Sequence, residues 1–183
     1  MELPPFRYHP DPLATGMIIQ SSERCVVCGQ ARGYVYTGVP YCVEEVDEES
    51  ICPWCIADGS AHKQFEAEFV DAAGIGTGLV GTGPVATEVV EEVAYRTPGF
   101  SGWQQECWFT HCDDAAAFLG AMGARELRAA EPAAVDAIRA STGLDEGATW
   151  DGFFAALDRD GSPRAYLFRC LRCGQFGGYT DAD

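Results

Sequence analysis

The sequence predicts an α+β fold, and three observations carry this prediction. Two Cys-x-x-Cys pairs lie within the first 55 residues and flank a short stretch of strand-forming residues. The middle of the chain places apolar residues at helical spacing. A last predicted strand then runs directly into a third Cys-x-x-Cys pair. The expected architecture is a zinc-ribbon-like N-terminal part, a helical middle and a C-terminal zinc knuckle.

The predicted elements fall into three stretches of one compact unit. Residues 1–24 are rich in proline and predict an extended arm laid on the surface. Residues 25–70 predict the zinc-ribbon region, with a hairpin made of Tyr34–Tyr36 and a return near residues 41–46, followed by a helix. Residues 71–183 predict an α+β region that contains the C-terminal knuckle.

Apolar periodicity and end signals place the individual elements. The clearest helix begins at Pro84, with valines on one face and glutamates on the other, and ends before Pro98. The others are, in chain order, a helix at 58–70, a strand at 103–109, a helix capped by Asp113 with Phe118, Leu119 and Met122 inward, helices near 132–140 and 150–157, and a strand at 165–170.

The net charge argues against two classes of partner. The chain carries 12 Lys and Arg against 28 Asp and Glu, a formal net charge of −16. Such a surface repels phosphate backbones and anionic lipids, so neither nucleic acid nor a membrane is expected to bind. No apolar run approaches the roughly 18 residues of a membrane span, and no secretory signal pattern is visible. We therefore expect a cytoplasmic protein whose acidic surface serves either solubility or recognition of a basic protein.

Four cysteines near the N-terminus predict a metal site. The chain has nine cysteines, and an odd number in a cytoplasmic protein favours metal or redox chemistry over disulfides. Cys25 and Cys28 form one Cys-x-x-Cys pair, and 23 residues separate it from the second pair, Cys52 and Cys55. Each such turn presents two sulfurs to one side of an ion, so two turns supply the four ligands that Zn²⁺ prefers. A thiol–disulfide oxidoreductase reading of Cys-Pro-Trp-Cys and an iron–sulfur reading stay open as less favoured alternatives.

An internal repeat predicts a second zinc site. Residues 24–34 and 169–179 agree at seven of eleven positions, including both cysteines and the glycine that follows them. Cys170 and Cys173 therefore form half of a site. The other half must come from the cluster of Cys107, His111 and Cys112, of which we favour His111 and Cys112, because Cys107 alternates with apolar residues and is expected in the core. Cys42 has no partner in this scheme and is expected to be structural.

No set of catalytic residues emerges. The literal Gly-x-Gly-x-x-Gly at Gly76, Gly78 and Gly81 follows a predicted helix rather than a strand, so we interpret residues 74–83 as a flexible linker and not as a phosphate-binding loop. Of the three histidines, His9 lies in the proline-rich arm, His62 on a predicted exposed helix face, and His111 is a candidate ligand. A zinc ion with four protein ligands has no position for an activated water.

Long motifs across most of the chain resemble the CbrC family of bacterial proteins. They are LPPFRYHPDPLATG, CVVCGQARGYVYTG, CPWCIADGSAHKQF, RTPGFSGWQQECWFTHCDDAAAFLGAMGARE and RAYLFRCLRCGQF. The family's name is associated with bacterial tolerance of a DNase-type colicin, so the resemblance implies a defensive, immunity-like role. It also implies that Cys107 is not a ligand, and it supplies no catalytic residues.

These observations favour a non-enzymatic, zinc-stabilised binding protein that neutralises a bacterial toxin, such as a nuclease, by binding it. A nuclease carries a basic surface, and the expected contacts are carboxylates between the two N-terminal cysteine pairs: Glu44, Glu45, Asp47, Glu48 and Glu49. Two alternatives stay open. One is a zinc or thiol enzyme of unknown substrate, and the other is a zinc-ribbon adaptor in a housekeeping complex.

Overall fold

The computed structural model describes residues 2–43, 45–78 and 80–182 and shows a mixed α+β architecture with small sheets. The strands are β1 (Ile18–Gln20), β2 (Tyr34–Tyr36), β3 (Thr110–His111), β4 (Asp114–Ala115), β5 (Ala117–Met122), β6 (Arg164–Arg169) and β7 (Phe176–Asp181). The helices are α1 (Pro53–Ala57), α2 (Ser60–Phe65), α3 (Thr87–Arg96), α4 (Ala124–Ala129), α5 (Pro132–Thr142) and α6 (Ala148–Ala156), with a 3₁₀ helix at Ala72–Gly74.

Two antiparallel hairpins, one near each end of the chain, organise the fold. β1 pairs with β2, and β6 pairs with β7, while β5 adds to the other edge of β6. The predicted partner of Tyr34–Tyr36 near residues 41–46 was wrong, because β1 takes that place and Tyr41 instead bridges Glu68. Ile18 and Val35 are fully buried, so pairing β1 with β2 buries apolar side chains that a return at 41–46 would leave exposed.

The predicted helix after Asp113 is a strand. Cys112 and Asp113 both adopt positive φ, at 54° and 56°, and form the tight turn between β3 and β4. The alanine-rich residues beyond it form β5, which pairs with β6 across its whole length apart from a bulge between Phe118 and Gly120. Alanine and leucine favour helices by a few tenths of a kcal/mol each, and the burial gained by completing a sheet outweighs that preference.

Three further predictions required correction. The helix expected at 58–70 is shortened to α2, which ends before Glu66, whose φ is 53°. The strand expected at 103–109 is reduced to a bridge between Trp108 and Ile75. The glycine-rich segment, expected to be a flexible linker, packs against the chain at Thr110. Gly81 forms a β-bridge with Thr110, and the Thr82 N–H donates to the Thr110 carbonyl. Helix α4 and strand β7 were not predicted.

Three apolar clusters form the interior. An aromatic cluster around Phe100, Trp108, Phe118 and Phe168 lies between the three-stranded sheet and α3. A second surrounds the N-terminal cysteines, and a third lies between the sheet and helices α4, α5 and α6. Within the part of the chain that the structure describes, no helix is both long and apolar enough to cross a membrane.

The proline-rich N-terminal stretch is partly buried, rather than laid on the surface as expected. Tyr8 belongs to the aromatic cluster and is fully buried, and so is His9. The His9 Nδ1 lies 2.7 Å from the Pro98 carbonyl, which can only accept, so Nδ1 donates. Nε2 lies 2.7 Å from the Thr15 hydroxyl and accepts its proton. Burial lowers the pKa of His9 from 6.5 to about 4, although the Pro98 carbonyl opposes that shift.

We expect the His9 ring to stay neutral in the folded protein until the pH falls well below 6. In the unfolded protein His9 binds a proton below about pH 6.5. In the folded protein His9 binds that proton only below about pH 4. Stability is therefore fully present above pH 6.5 and falls as the pH decreases, by up to about 3 kcal/mol for this group. Imidazole NMR titrations of folded and urea-denatured protein measure the difference, and unfolding of His9→Gln should lose less stability between pH 7.5 and 5.5. A folded-state titration near 6.5 would contradict the burial argument.

Candidate metal centres

The N-terminal cluster consists of Cys25, Cys28, Cys52 and Cys55, whose four sulfurs lie within 4.8 Å of one another. Cys52 Sγ lies 3.5 Å from Cys55 Sγ and 3.9 Å from Cys28 Sγ. Four sulfurs placed tetrahedrally at a Zn–S distance of about 2.3 Å would be about 3.8 Å apart. The cluster therefore has the dimensions of a tetrahedral thiolate site.

Two different backbone structures bring these cysteines together. The first pair lies at the tip of the β1–β2 hairpin, in a turn that Gly29 closes with φ at 68°. The second pair lies at the start of α1, where Pro53 occupies the first helical turn and needs no hydrogen-bond partner for its nitrogen. The Cys52 N–H donates to Cys25 Sγ at 3.3 Å, so the helix start also stabilises a thiolate from the other pair.

The C-terminal cluster consists of His111, Cys112, Cys170 and Cys173, whose ligand atoms also lie within 4.8 Å of one another. His111 Nδ1 lies 3.2 Å from Cys112 Sγ and 3.4 Å from Cys173 Sγ, close to the roughly 3.6 Å expected around zinc. The positive φ of Cys112 turns its side chain to the same side as that of His111, so adjacent residues can both reach one ion. The structure thus brings together the two residues favoured from the sequence.

The internal repeat corresponds to a repeated three-dimensional turn. We name residues 24–34 the N-terminal knuckle and residues 169–179 the C-terminal knuckle. In both, the N–H of the first cysteine donates to the carbonyl of the glutamine five residues later, at 3.0 and 2.8 Å. In both, the preceding arginine donates to the carbonyl of the glycine, Arg24 to Gly29 and Arg169 to Gly174. The matching arginine, glycine and glutamine therefore have a physical role, which is to close the turn that presents two sulfurs.

The thiols within each cluster differ in pKa, so that the first negative charge falls on one cysteine of each cluster. A hydrogen bond from Cys52 lowers the pKa of Cys25 to about 4, and the same contact raises that of Cys52. Burial opposes ionisation of Cys170, but the N–H groups of Cys173 and Arg172 and the His111 ring outweigh it and lower its pKa to about 6. Thiolates this close repel one another, so full ionisation of either cluster requires a cation among the sulfurs.

The two clusters differ in their exposure to solvent. Cys25, Cys52 and Cys55 are buried, with at most 2% of their surface exposed. In the C-terminal cluster only Cys170 is buried, whereas Cys173 is exposed and His111 and Cys112 are intermediate. A chelator or a competing thiol can therefore approach the exposed Cys173 directly, whereas in the N-terminal cluster Cys28 is partly exposed and reaching the other three cysteines requires local opening.

The remaining two cysteines lie outside both clusters. Cys42 is half-buried beside the N-terminal cluster, and burial raises its pKa. Cys107, expected in the core, is instead only partly buried, and its sulfur lies near the Gln105 carbonyl. All nine cysteines are free thiols. Because Cys52 and Cys55 contact the first pair, the structure favours one four-ligand site over an isolated dithiol.

Asp114 is a buried carboxylate beside the C-terminal cluster that the sequence analysis did not single out. It is 1% exposed and follows the turn that carries His111 and Cys112. Arg7 donates to it at 2.5 Å, the Tyr8 hydroxyl at 2.8 Å, and the Arg172 guanidinium lies 3.5 Å away. Arg172 belongs to the C-terminal knuckle, so one carboxylate connects the N-terminal stretch with both halves of this cluster.

The predicted partner-binding carboxylates lie on the surface next to the N-terminal cluster. Glu45, Asp47, Glu48 and Glu49 are exposed, and Glu44 lies outside the described residues. The segment that carries them is fixed at both ends. Val46 is buried, while at the other end the Ser50 carbonyl accepts from the Val26 N–H of the N-terminal knuckle, and Ile51 pairs with Tyr36.

The whole chain matches one protein family. The family model described as uncharacterised protein family UPF0167 covers residues 3–182. The chain belongs to this family. It is 50% identical over 185 residues to UPF0167 protein Mb2317 of Mycobacterium bovis, covering 98% of this chain and 94% of the relative. It is 46% identical to UPF0167 protein PA1536 of Pseudomonas aeruginosa, covering 94% and 93%. No solved structure matches. These names do not include CbrC, so that more specific resemblance stays a prediction.

We expect purified protein to contain about two zinc ions per chain, which elemental analysis measures. Cys42→Ser should retain both ions and melt close to the wild type, because Cys42 lies outside the clusters. Cys173→Ser should retain one ion, and Cys52→Ser should give poorly folded protein, since metal binding supplies folding free energy.

In a chelator titration the exposed C-terminal site should empty first, and Cys173→Ser should lack that first phase. Protein without zinc, or with iron, would contradict the assignment.

Replacing Asp114 should destabilise the protein by about 2–3 kcal/mol. Asp114→Asn removes a buried negative charge that Arg7 and Arg172 contact, and it weakens the hydrogen bond from the buried Tyr8 hydroxyl. The matched control is Asp136→Asn, which breaks an exposed ion pair with Arg139 and should cost less than about 1 kcal/mol. Urea unfolding of both variants in excess zinc measures the difference, and equal costs would show that the Asp114 network adds nothing.

Proposed function

We propose that this protein is a non-enzymatic, zinc-stabilised binding protein with one zinc ion in each cluster. The observation that carries the proposal is that each cluster supplies four protein donors with the separations of a tetrahedral site. Four sulfurs, or three sulfurs and one imidazole, are donor sets that Zn²⁺ favours in structural sites. The two clusters connect elements that are distant in sequence, so zinc would hold the small sheets and short helices together.

Closed sites support a structural role for the metal. With four protein ligands around each ion there is no open position for a water molecule, which hydrolytic zinc enzymes require. The Cys-Pro-Trp-Cys thiols, the best candidates for redox chemistry, would be occupied as ligands. Ligand thiols of this kind must stay reduced, which agrees with a cytoplasmic location.

The acidic segment at residues 45–49 supports binding of a basic protein. Its carboxylates are exposed, and the N-terminal cluster and the buried Val46 fix the backbone that carries them. Next to them Val39, Tyr41 and Val43 alternate as exposed apolar side chains. An apolar centre beside a charged border is the usual composition of a protein interface, and fixed carboxylates would speed encounter with a basic surface.

The more specific form of this proposal is toxin neutralisation. Nucleases hold their phosphate substrate with basic residues, and an acidic protein can cover that surface. The resemblance to the CbrC family, with its association with colicin tolerance, supports a nuclease as the partner. Binding alone would be sufficient for protection, because a covered active site cannot reach nucleic acid.

The experiment is co-expression of this chain with a toxic nuclease encoded beside its gene. We expect survival to depend on the protein, and the association rate of the purified pair to fall as salt rises. A variant with Glu45→Gln, Asp47→Asn, Glu48→Gln and Glu49→Gln should associate at least tenfold more slowly. The matched control neutralises the same number of exposed carboxylates elsewhere, at Glu88, Glu91, Glu131 and Asp145.

Three results would contradict parts of the proposal separately. If no neighbouring toxin binds at low salt and cells gain no protection, toxin neutralisation is wrong and the adaptor alternative is favoured. If the toxin binds but both charge variants slow association equally, the acidic segment is not the contact surface. If metal-free protein folds and binds as well as the zinc form, zinc has no structural role.

A further inference from the structure

A cavity of about 130 Å³ lies beside the three-stranded sheet, against β5 and the first half of β6. Its floor is aromatic, formed by Phe100, Phe118 and Tyr166. Two arginines, Arg159 and Arg164, line it together with the exposed Asp160. An apolar cavity of about 150 Å³ is large enough to hold benzene, so this one can accept a small organic molecule.

The bulge in β5 creates the apolar wall of the cavity. Residues three apart in a regular strand point to opposite faces of a sheet. The bulge between Phe118 and Gly120 shifts the register, so that Phe118 pairs with Phe168 and Ala121 with Tyr166. Phe118 and Ala121 consequently face the same side as Tyr166 and all three line the cavity. Bulges that redirect side chains in this way are common beside binding sites.

Arg164 is incompletely satisfied at this position. Its Nε is buried and, among the residues that the structure describes, has no hydrogen-bond partner. Its guanidinium carbon lies 5.6 Å from the centre of the Trp103 ring, which packs against the group without neutralising it. A buried guanidinium N–H without an acceptor costs free energy. Because this Nε is closed to solvent, an anion in the cavity would be received by the terminal guanidinium nitrogens of Arg164.

The charge of this cavity differs from that of the rest of the chain. The chain has only 12 basic residues against 28 acidic ones, yet two arginines line a single small cavity. Within the described parts of the chain, neither Arg159 nor Arg164 has a carboxylate within the 4 Å of an ion pair. Arg159 donates to the Ala14 carbonyl at 3.3 Å. The Asp160 carboxylate removes part of the positive charge but leaves the cavity with an excess of it.

We propose that this cavity binds a small carboxylate whose body is a single aromatic ring or an aliphatic group of similar size. The planar guanidinium of Arg164 would receive the carboxylate, with Arg159 adding charge at the entrance, and the ring would lie against the aromatic floor. A free phosphate fits less well, because it would leave the aromatic floor in contact with water. This site is separate from both metal clusters and from the acidic segment, so it does not depend on the proposed function.

The test is calorimetric titration of the zinc-loaded full chain with benzoate, and separately with benzamide and inorganic phosphate. We expect benzoate to bind at least tenfold more tightly than benzamide, which has the same shape without the charge. Arg164→Met should weaken benzoate binding at least tenfold, and Arg159→Met should weaken it less. The control Arg96→Met removes a partly exposed arginine of α3 that does not line the cavity, and it should bind benzoate as the wild type does.

The outcomes separate binding from folding. Zinc content and melting temperature show whether each variant is folded, and Arg164→Lys retains the charge if Arg164→Met does not fold. Absence of benzoate binding at millimolar concentration, equal binding of benzamide, or phosphate binding as tight as that of benzoate would each overturn the proposal. Unchanged benzoate binding in folded variants of both Arg159 and Arg164 would do so as well.

Discussion

Crowded thiolates impose the constraint on which the rest of this structure depends. Four sulfurs within 4.8 Å cannot all carry charge in a buried place without a cation, and without charge they attract one another only weakly. The N-terminal cluster has four sulfurs, the C-terminal cluster has three sulfurs and one imidazole, and in each the ligands come from elements that are distant in sequence. An apolar cluster also surrounds the N-terminal cysteines, so a metal ion there would add to the burial that holds these short strands and helices together. The same constraint explains why knuckle backbone N–H groups are directed at sulfur, since they reduce the repulsion before any metal binds.

Chemistry that depends on residue type and spacing could be predicted from the sequence, and pairing between distant segments could not. The two cysteine pairs and the repeated knuckle were visible as patterns, and the structure brings together the eight side chains chosen as ligands. The repeat also contained an unused signal. Arg24 and Arg169 occupy the same position in the two repeats, and the side chain of each donates to the glycine carbonyl that closes its turn. The match between the two sequences did not by itself show this role.

The main errors arose where tertiary contacts outweigh local preference. Alanine-rich β5 has the composition of a helix, but it is a strand because it pairs with the edge of β6. Strand β2 pairs with β1, which precedes it in the chain, and not with the residues that follow it. Asp114 could not be selected from 28 acidic residues, since its importance comes from Arg7 and Arg172, which are far from it in sequence. The cavity beneath Arg164 depends on a one-residue bulge, and no local signal in the sequence marks it.

The spacing of the ligands along the chain has a consequence for the order of assembly during synthesis. Contacts between the two cysteine pairs of the N-terminal cluster span 24 to 27 residues, so this cluster can close once the first third of the chain has left the ribosome. Contacts between the two halves of the C-terminal cluster span about 60 residues and require the last strand pair. If each cluster holds an ion as proposed, the N-terminal cluster would bind its ion first. The more exposed C-terminal cluster would bind one only when the finished chain folds back on itself.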